Sequence, residues 1–131
     1  MALILADSDV LIDALRGREL AKARIANELR KASLGTTTVT VFELLGGAKR
    51  PASQKKIQKL LAAMRIFAFD QPAAEAAAEA RQRLEAQGTS IGMADYVIAG
   101  ICLAHSATLL TRNRRHFEKI PGLMVGELES D

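Results

Sequence analysis

Apolar residues follow two rhythms along this chain, one of short unbroken runs and one of helical spacing. The first run, Ala2-Leu3-Ile4-Leu5-Ala6, stops at Asp7. Continuous apolarity over so few residues predicts a strand buried on both faces. Ser8-Asp9-Val10-Leu11-Ile12 opens a helix over residues 8–15, and a second helix covers 18–32 after a break at Gly17. A β-branched strand from Leu34 to Thr38 leads into a helix from Val39 to Lys49, which Pro51 interrupts. Residues 52–65 place Ile57, Leu60, Leu61 and Met64 at helical spacing. A third strand, Arg65-Ile66-Phe67-Ala68-Phe69, is ended by Asp70-Gln71-Pro72. Residues 73–87 are Ala- and Glu-rich, a strong helix stopped by Gly88. Residues 93–105 are almost wholly apolar and predict a buried helix. A fourth strand runs from Ala107 to Thr111, and a short fifth covers 123–126.

Strands alternate with helices and no hairpin signal joins them, which predicts βαβ units and a parallel sheet. Right-handed crossovers then make the expected fold α/β, a three-layer α/β/α sandwich around a central parallel sheet of four or five strands. No repeat, linker or second domain interrupts residues 1–131, and the polar tail after Glu127 is expected to fray.

Composition narrows the class. With 49% hydrophobic residues but only 4% aromatic and no Trp, the core must be built from Leu, Ile, Val and Ala. Cys102 is the single cysteine, so no intrachain disulfide forms. No stretch approaches the ~18 apolar residues of a membrane span. The apolar start is too short for a secretion signal and lacks a basic flank, so a cytoplasmic protein is expected. The net charge of +3 is compatible with a nucleic-acid partner.

Open α/β sheets bind ligands outside the carboxyl ends of their strands, where Asp7 stands. Glu43, in Val41-Phe42-Glu43-Leu44-Leu45, and Asp95, in Met93-Ala94-Asp95-Tyr96-Val97-Ile98, also lie among apolar neighbours. An ionised carboxylate in such surroundings needs a partner or a metal. Each has a purely structural alternative. Asp7 can cap a helix, Glu43 can close a capping box with Thr40, and Asp95 can favour a helix N-terminus. One shared cation accounts for all three together. Thr111-Arg112-Asn113-Arg114-Arg115-His116-Phe117 follows the fourth strand. Asn113 offers a neutral oxygen, while Arg112, Arg114, Arg115 and Lys119 bring positive charge. Basic residues beside a carboxylate-held cation suit a phosphodiester. Oxygen donors select Mg²⁺ or Mn²⁺. His105, His116 and Cys102 make no zinc spacing.

These segments, together with Thr40-Val41-Phe42-Glu43-Leu44-Leu45-Gly46-Gly47 and Ala94-Asp95-Tyr96-Val97-Ile98-Ala99, resemble the PIN-domain ribonucleases, specifically the VapC-type toxins of toxin–antitoxin pairs. The ordered set, spanning nearly the whole chain, carries the likeness. The resemblance implies a PIN-like fold and an Mg²⁺- or Mn²⁺-dependent endoribonuclease that hydrolyses RNA with an activated water. Asp7, Glu43 and Asp95 would hold the metal, Ser8 would support them, and Asn113 would stand where the wider family often has a fourth Asp. Arg112, Arg114 and Arg115 would bind substrate phosphates. It also implies a homodimer and a cognate antitoxin. An amphipathic antitoxin helix would suit a groove between helices 8–15 and 18–32 and helices 39–49 and 52–65, where Leu44-Leu45 and Leu60-Leu61 add apolar surface.

Three other functions compete. A phospho-receiver domain would use Asp7, Asp9, Asp70 and Thr111. A haloacid-dehalogenase-like phosphatase would use Asp7-Ser8-Asp9 but lacks a late acidic pair. A catalytically idle interaction module would keep only the fold.

Overall fold

The computed structural model describes residues 2–128. Strands β1 (Ile4–Ala6), β2 (Leu34–Thr37), β3 (Arg65–Phe67), β4 (Thr108–Leu110) and β5 (Met124–Gly126) form one sheet in the order β3-β2-β1-β4-β5. Every neighbouring pair is parallel. Helices α1 (Ser8–Leu15), α2 (Glu19–Arg30), α3 (Thr38–Gly47), α4 (Pro51–Ala62), α5 (Gln71–Ala86), α6 (Met93–Ala104) and the short α7 (Arg114–Phe117) connect them. Among the described residues no helix is long and apolar enough to cross a membrane.

Strand side chains alternate faces, so a strand buried on both sides serves two cores. Ile4 and Ala6 pack with Val10, Ile25, Leu44 and Ile57 from α1 to α4. Leu5, between them, packs with Leu84, Ile101 and Phe117 from α5 to α7. The result is the expected three-layer α/β/α sandwich, with five parallel strands.

Boundaries shift where local chemistry decides them. The second helix ends at Arg30 rather than residue 32, because Ala32 turns the chain at φ 55°. Residues 114–117 form a helical turn that buries Phe117, which apolar periodicity does not signal over so short a stretch. The capping box at Thr40 and Glu43, the structural alternative for Glu43, is absent. Thr37 is the N-cap of α3, and its hydroxyl accepts from the Thr40 amide at 3.2 Å. The helix therefore starts earlier, and Glu43 sits inside it, exposed. Of the expected tail, residues 129–131 lie outside the described residues.

Helices α5 and α6 approach closely through small residues, Ala73, Ala77 and Ala80 facing Gly100. A Cβ at Gly100 would lie 2.7 Å from the Ala77 Cβ and closer still to the Ala73 carbonyl oxygen. Gly100→Val gains little helix propensity over Gly but overpacks this contact. It is expected to lose about 1–3 kcal/mol in urea unfolding, whereas unchanged stability would mean the helices can part at no cost.

Candidate functional site

Strands β1 and β4 are paired with Ala6 opposite Leu110. The residues that follow, Asp7 and Thr111, therefore emerge side by side. The Asp7 amide donates to the Leu110 carbonyl at 2.8 Å, extending the ladder by one residue. The Thr111 hydroxyl donates to Asp7 Oδ2 at 2.9 Å. The sheet order reverses at this pair: β2 and β3 build outward on one side of β1, β4 and β5 on the other. Such a reversal is where doubly wound sheets open a ligand crevice.

Asp7 is 8% exposed and is also the N-cap of α1, accepting from the Ser8 amide at 2.8 Å. The capping and functional readings thus coincide in one side chain. Burial, then the carboxylates of Asp9 and Glu43, push its pKa up to about 6, against the hydrogen bonds from Thr111 and Ser8. Asp9 is raised too, mainly by burial. Its Oδ2 accepts from the Arg112 amide at 3.0 Å and lies 3.4 Å from Thr111 Oγ1. Its Oδ1 is buried with no partner among the described residues.

The other acids join this centre through neighbours. Ser8 Oγ donates to Glu43 Oε1 at 3.0 Å. The Asn113 amide N–H donates to Thr111 Oγ1 at 3.0 Å. His116 Nδ1 lies 2.8 Å from Asp95 Oδ2, in the first turn of α6, and 2.9 Å from the Asn113 side-chain amide. A proton on Nδ1 satisfies Asp95, and Asn113 then turns its oxygen toward the ring, since two donors cannot share the contact. Glu43, Ser8, Asp7, Thr111, Asn113, His116 and Asp95 are thereby linked in one hydrogen-bonded chain.

Among the described residues, no three Asp, Glu, His or Cys side chains stand close enough to chelate one cation as they lie. The donor chemistry nevertheless fits a hard divalent ion: carboxylates and a hydroxyl, all oxygen. Asp7's burial and Asp9's unpartnered oxygen both oppose ionisation unless a cation offsets it.

The arginines divide. Arg112 is paired with the buried Asp13 at 3.1 Å. Arg114 donates to the Gly126 carbonyl at 2.6 Å and pairs with Glu127 and Glu118. Arg115 is exposed, with no ion pair among the described residues. Asp9, Thr111 and His116 are the site members that the three-carboxylate reading passes over. Their signals were available: Asp9 in the first turn of α1, Thr111 directly after β4, His116 three residues beyond Asn113. Asp70, which a receiver domain would place beside Asp7, instead caps α5 after β3, accepting from the Ala73 amide at 3.1 Å. It stands two strands away from β1.

The PIN domain family model matches residues 4–123. A curated relative, ribonuclease VapC10 of Mycobacterium tuberculosis, is 33% identical over 115 residues, covering 88% of this chain and 86% of the relative. Among solved structures, VapBC2 from Rickettsia felis bound to a promoter DNA fragment superposes with TM-score 0.86 at 23% identity, covering 95% and 97% of the two chains. A toxin–antitoxin complex from Klebsiella pneumoniae gives TM-score 0.76 at 27% identity, with coverage of 95% and 97%.

Because Asp7 titrates near 6 in the folded chain, against an ordinary 3.8, the folded state holds its proton more tightly than the unfolded one. Asp7's contribution to metal-free stability is therefore most favourable at low pH and falls as pH rises toward about 6, by up to about 3 kcal/mol at 1.36 kcal/mol per pKa unit. Asp7→Asn retains a capping side chain and removes the charge. In EDTA its gain over the unsubstituted protein should be largest above about pH 6 and vanish below about pH 4, measured by urea unfolding of both proteins across that range. A difference between the two proteins that does not change with pH would make Asp7 a cap alone.

Proposed function

This chain belongs to the PIN domain family, and from that premise we propose a VapC-type endoribonuclease, the toxin component of a toxin–antitoxin pair, working through Asp7, Glu43 and Asp95. The observation that carries the reading is Asp7, a buried carboxylate at the switch point of the sheet, held beside Asp9 and linked to Glu43 and Asp95. A cluster of this kind spends folding stability to keep negative charge in one place, and divalent metal dependence gives that charge a use. Mg²⁺ or Mn²⁺ is the proposed ion. A bound divalent ion offsets phosphate charge and lowers the pKa of a bound water.

The chain's own residues prepare the site. Thr111 and Ser8 orient Asp7 and Glu43, and His116 orients Asp95. Glu43 is exposed and Asp95 has 21% of its side chain exposed, so both can change rotamer without disturbing the core. Asn113 contributes no charge, and Asp9, on the other side of Thr111, supplies the fourth carboxylate of the neighbourhood.

The proposed partner is an amphipathic helix of an antitoxin. A cleft of about 320 Å³ between α1, α3 and α4 offers Ile12, Leu15, Leu44 and Ile57 as its apolar floor, with Arg16, Glu43 and Lys56 at its rim. Leu11 and Ile25, on the two N-terminal helices expected to border the groove, are buried in the core instead. Leu45, Leu60 and Leu61 pack against that same core. Glu43 belongs to both cleft and site, so a seated helix would reach the carboxylates directly. A homodimer and a cytoplasmic site of action complete the proposal. Exposed Phe69 and Met93, beside a second cleft between α5 and α6, supply apolar surface for the dimer.

Purified protein should cut labelled RNA with Mg²⁺ or Mn²⁺ and stop in EDTA. Asp7→Asn and Asp95→Asn should each lower the rate about 100-fold or more. Cleavage that survives both substitutions would assign the activity elsewhere. The product of the neighbouring reading frame should co-purify and protect α1, α3 and α4 from hydrogen exchange; protection confined to α5 and α6 would move the partner to the other face.

A further inference from the structure

Between Leu44 and Phe69 the chain carries six basic residues, Lys49, Arg50, Lys55, Lys56, Lys59 and Arg65, and no Asp or Glu. Since the chain has 18 basic residues and all 15 acidic ones lie elsewhere, everything outside this segment is net acidic. Surface helices usually interleave the two signs. Helix α5 does so, pairing Arg81 with Glu85 and Arg83 with Glu79. Helix α4 does not. Lys55, Lys56 and Lys59 are exposed, and none has an ion-pair partner among the described residues. Lys55 and Lys59 stand one turn apart, about 6 Å along the axis. Holding like charges in one row is unfavourable unless an anion shares them.

The cations nearest the carboxylates are arranged the opposite way. Arg112 and Arg114 are committed to Asp13, Glu118 and Glu127. Freeing Arg114 would leave Glu118 and Glu127 without an ion pair among the described residues, and freeing Arg112 would leave the buried Asp13 to Arg18 alone. Arg115 and Lys119 of the same stretch are exposed and have no ion pair among the described residues. The three-lysine row of uncommitted charge, with no acid in its segment, lies on α4, and it reaches the site, because Lys56 and Glu43 line the same cleft.

We propose that the outer face of α4 binds the phosphate backbone of RNA on its way into the site, so that substrate enters across α4 rather than over Arg112 and Arg114. The proposal rests on the nuclease reading above. An acidic peptide is the competing ligand. The cleft takes only Lys56 from the row, so a helix seated there leaves Lys55 and Lys59 untouched, whereas a polyanion running past meets all three. Lysine ammonium groups are point charges without the planar fork that reads base edges. The face therefore supplies affinity and direction, not base choice.

The test is salt-dependent binding of a labelled, mixed-sequence single-stranded RNA. Asp95→Asn protein is compared with the same protein carrying Lys55→Ala and Lys59→Ala. Losing two phosphate contacts should reduce the slope of log affinity against log salt by about 1.4. Lys→Arg at both positions should restore it. In otherwise unsubstituted protein the two alanines should raise KM for cleavage and leave kcat unchanged. An unchanged salt slope overturns the proposal. So does an unchanged slope with weaker hold on the co-purified antitoxin, which would assign the face to an acidic protein partner. If the slope falls as expected but the unsubstituted protein cuts no RNA, the binding face stands and the nuclease reading fails.

Discussion

Everything in this molecule turns on the cost of keeping the Asp7 carboxylate buried beside Asp9. The carboxyl end of β1 delivers Asp7 where desolvation favours the neutral acid, and two further carboxylates add to the pressure. Hydrogen bonds from Thr111 and the Ser8 amide offset part of it. A core built from Leu, Ile, Val and Ala has no use for such a group, and α1 could be capped by an uncharged Ser or Asn. Retaining charge there makes chemical sense when a cation arrives with substrate.

The fold supplies that arrangement economically. Parallel pairing of β1 and β4 brings residues 104 positions apart in sequence within 2.9 Å. Each strand of the central pair then turns straight into the segment that carries the next functional group: α1 with Ser8 and Asp9, the 111–117 segment with Asn113 and His116. Helix α3 contributes Glu43 through Ser8, and α6 contributes Asp95 through His116. Charge is segregated on a larger scale as well, with acids drawn to the sheet's carboxyl edge and unpaired lysines gathered on α4. A phosphodiester needs both, one to manage the reacting phosphate and one to hold its neighbours.

Much of this was legible in the sequence, because it follows from local pattern. The run before Asp7, the helix after it and the alternation of strands and helices sufficed for the layers, the sheet and the carboxylates. What was misread depended on distance in space. Glu43 has apolar sequence neighbours, yet Phe42 beside it is 77% exposed, since apolar neighbours along a helix point in several directions. Three threonines in a row hid which of them begins α3; Thr37 does so because β2 ends there. The ion pairs of Arg112 and Arg114 went unseen because their partners, Asp13 and Glu127, arrive from other elements. No pattern in the sequence announces that such pairs will form, and the lysines of α4 stand out only after the arginines are accounted for.

The central claim, that Asp7 is a carboxylate held at raised energy for a divalent cation, is tested most directly by titrating its side chain by carboxyl-detected NMR with and without saturating Mg²⁺. Without the ion Asp7 should titrate near 6, and with it below its ordinary 3.8, since a bound cation stabilises the ionised form. A titration near the ordinary value that Mg²⁺ leaves unmoved would contradict the account and leave Asp7 as a helix cap.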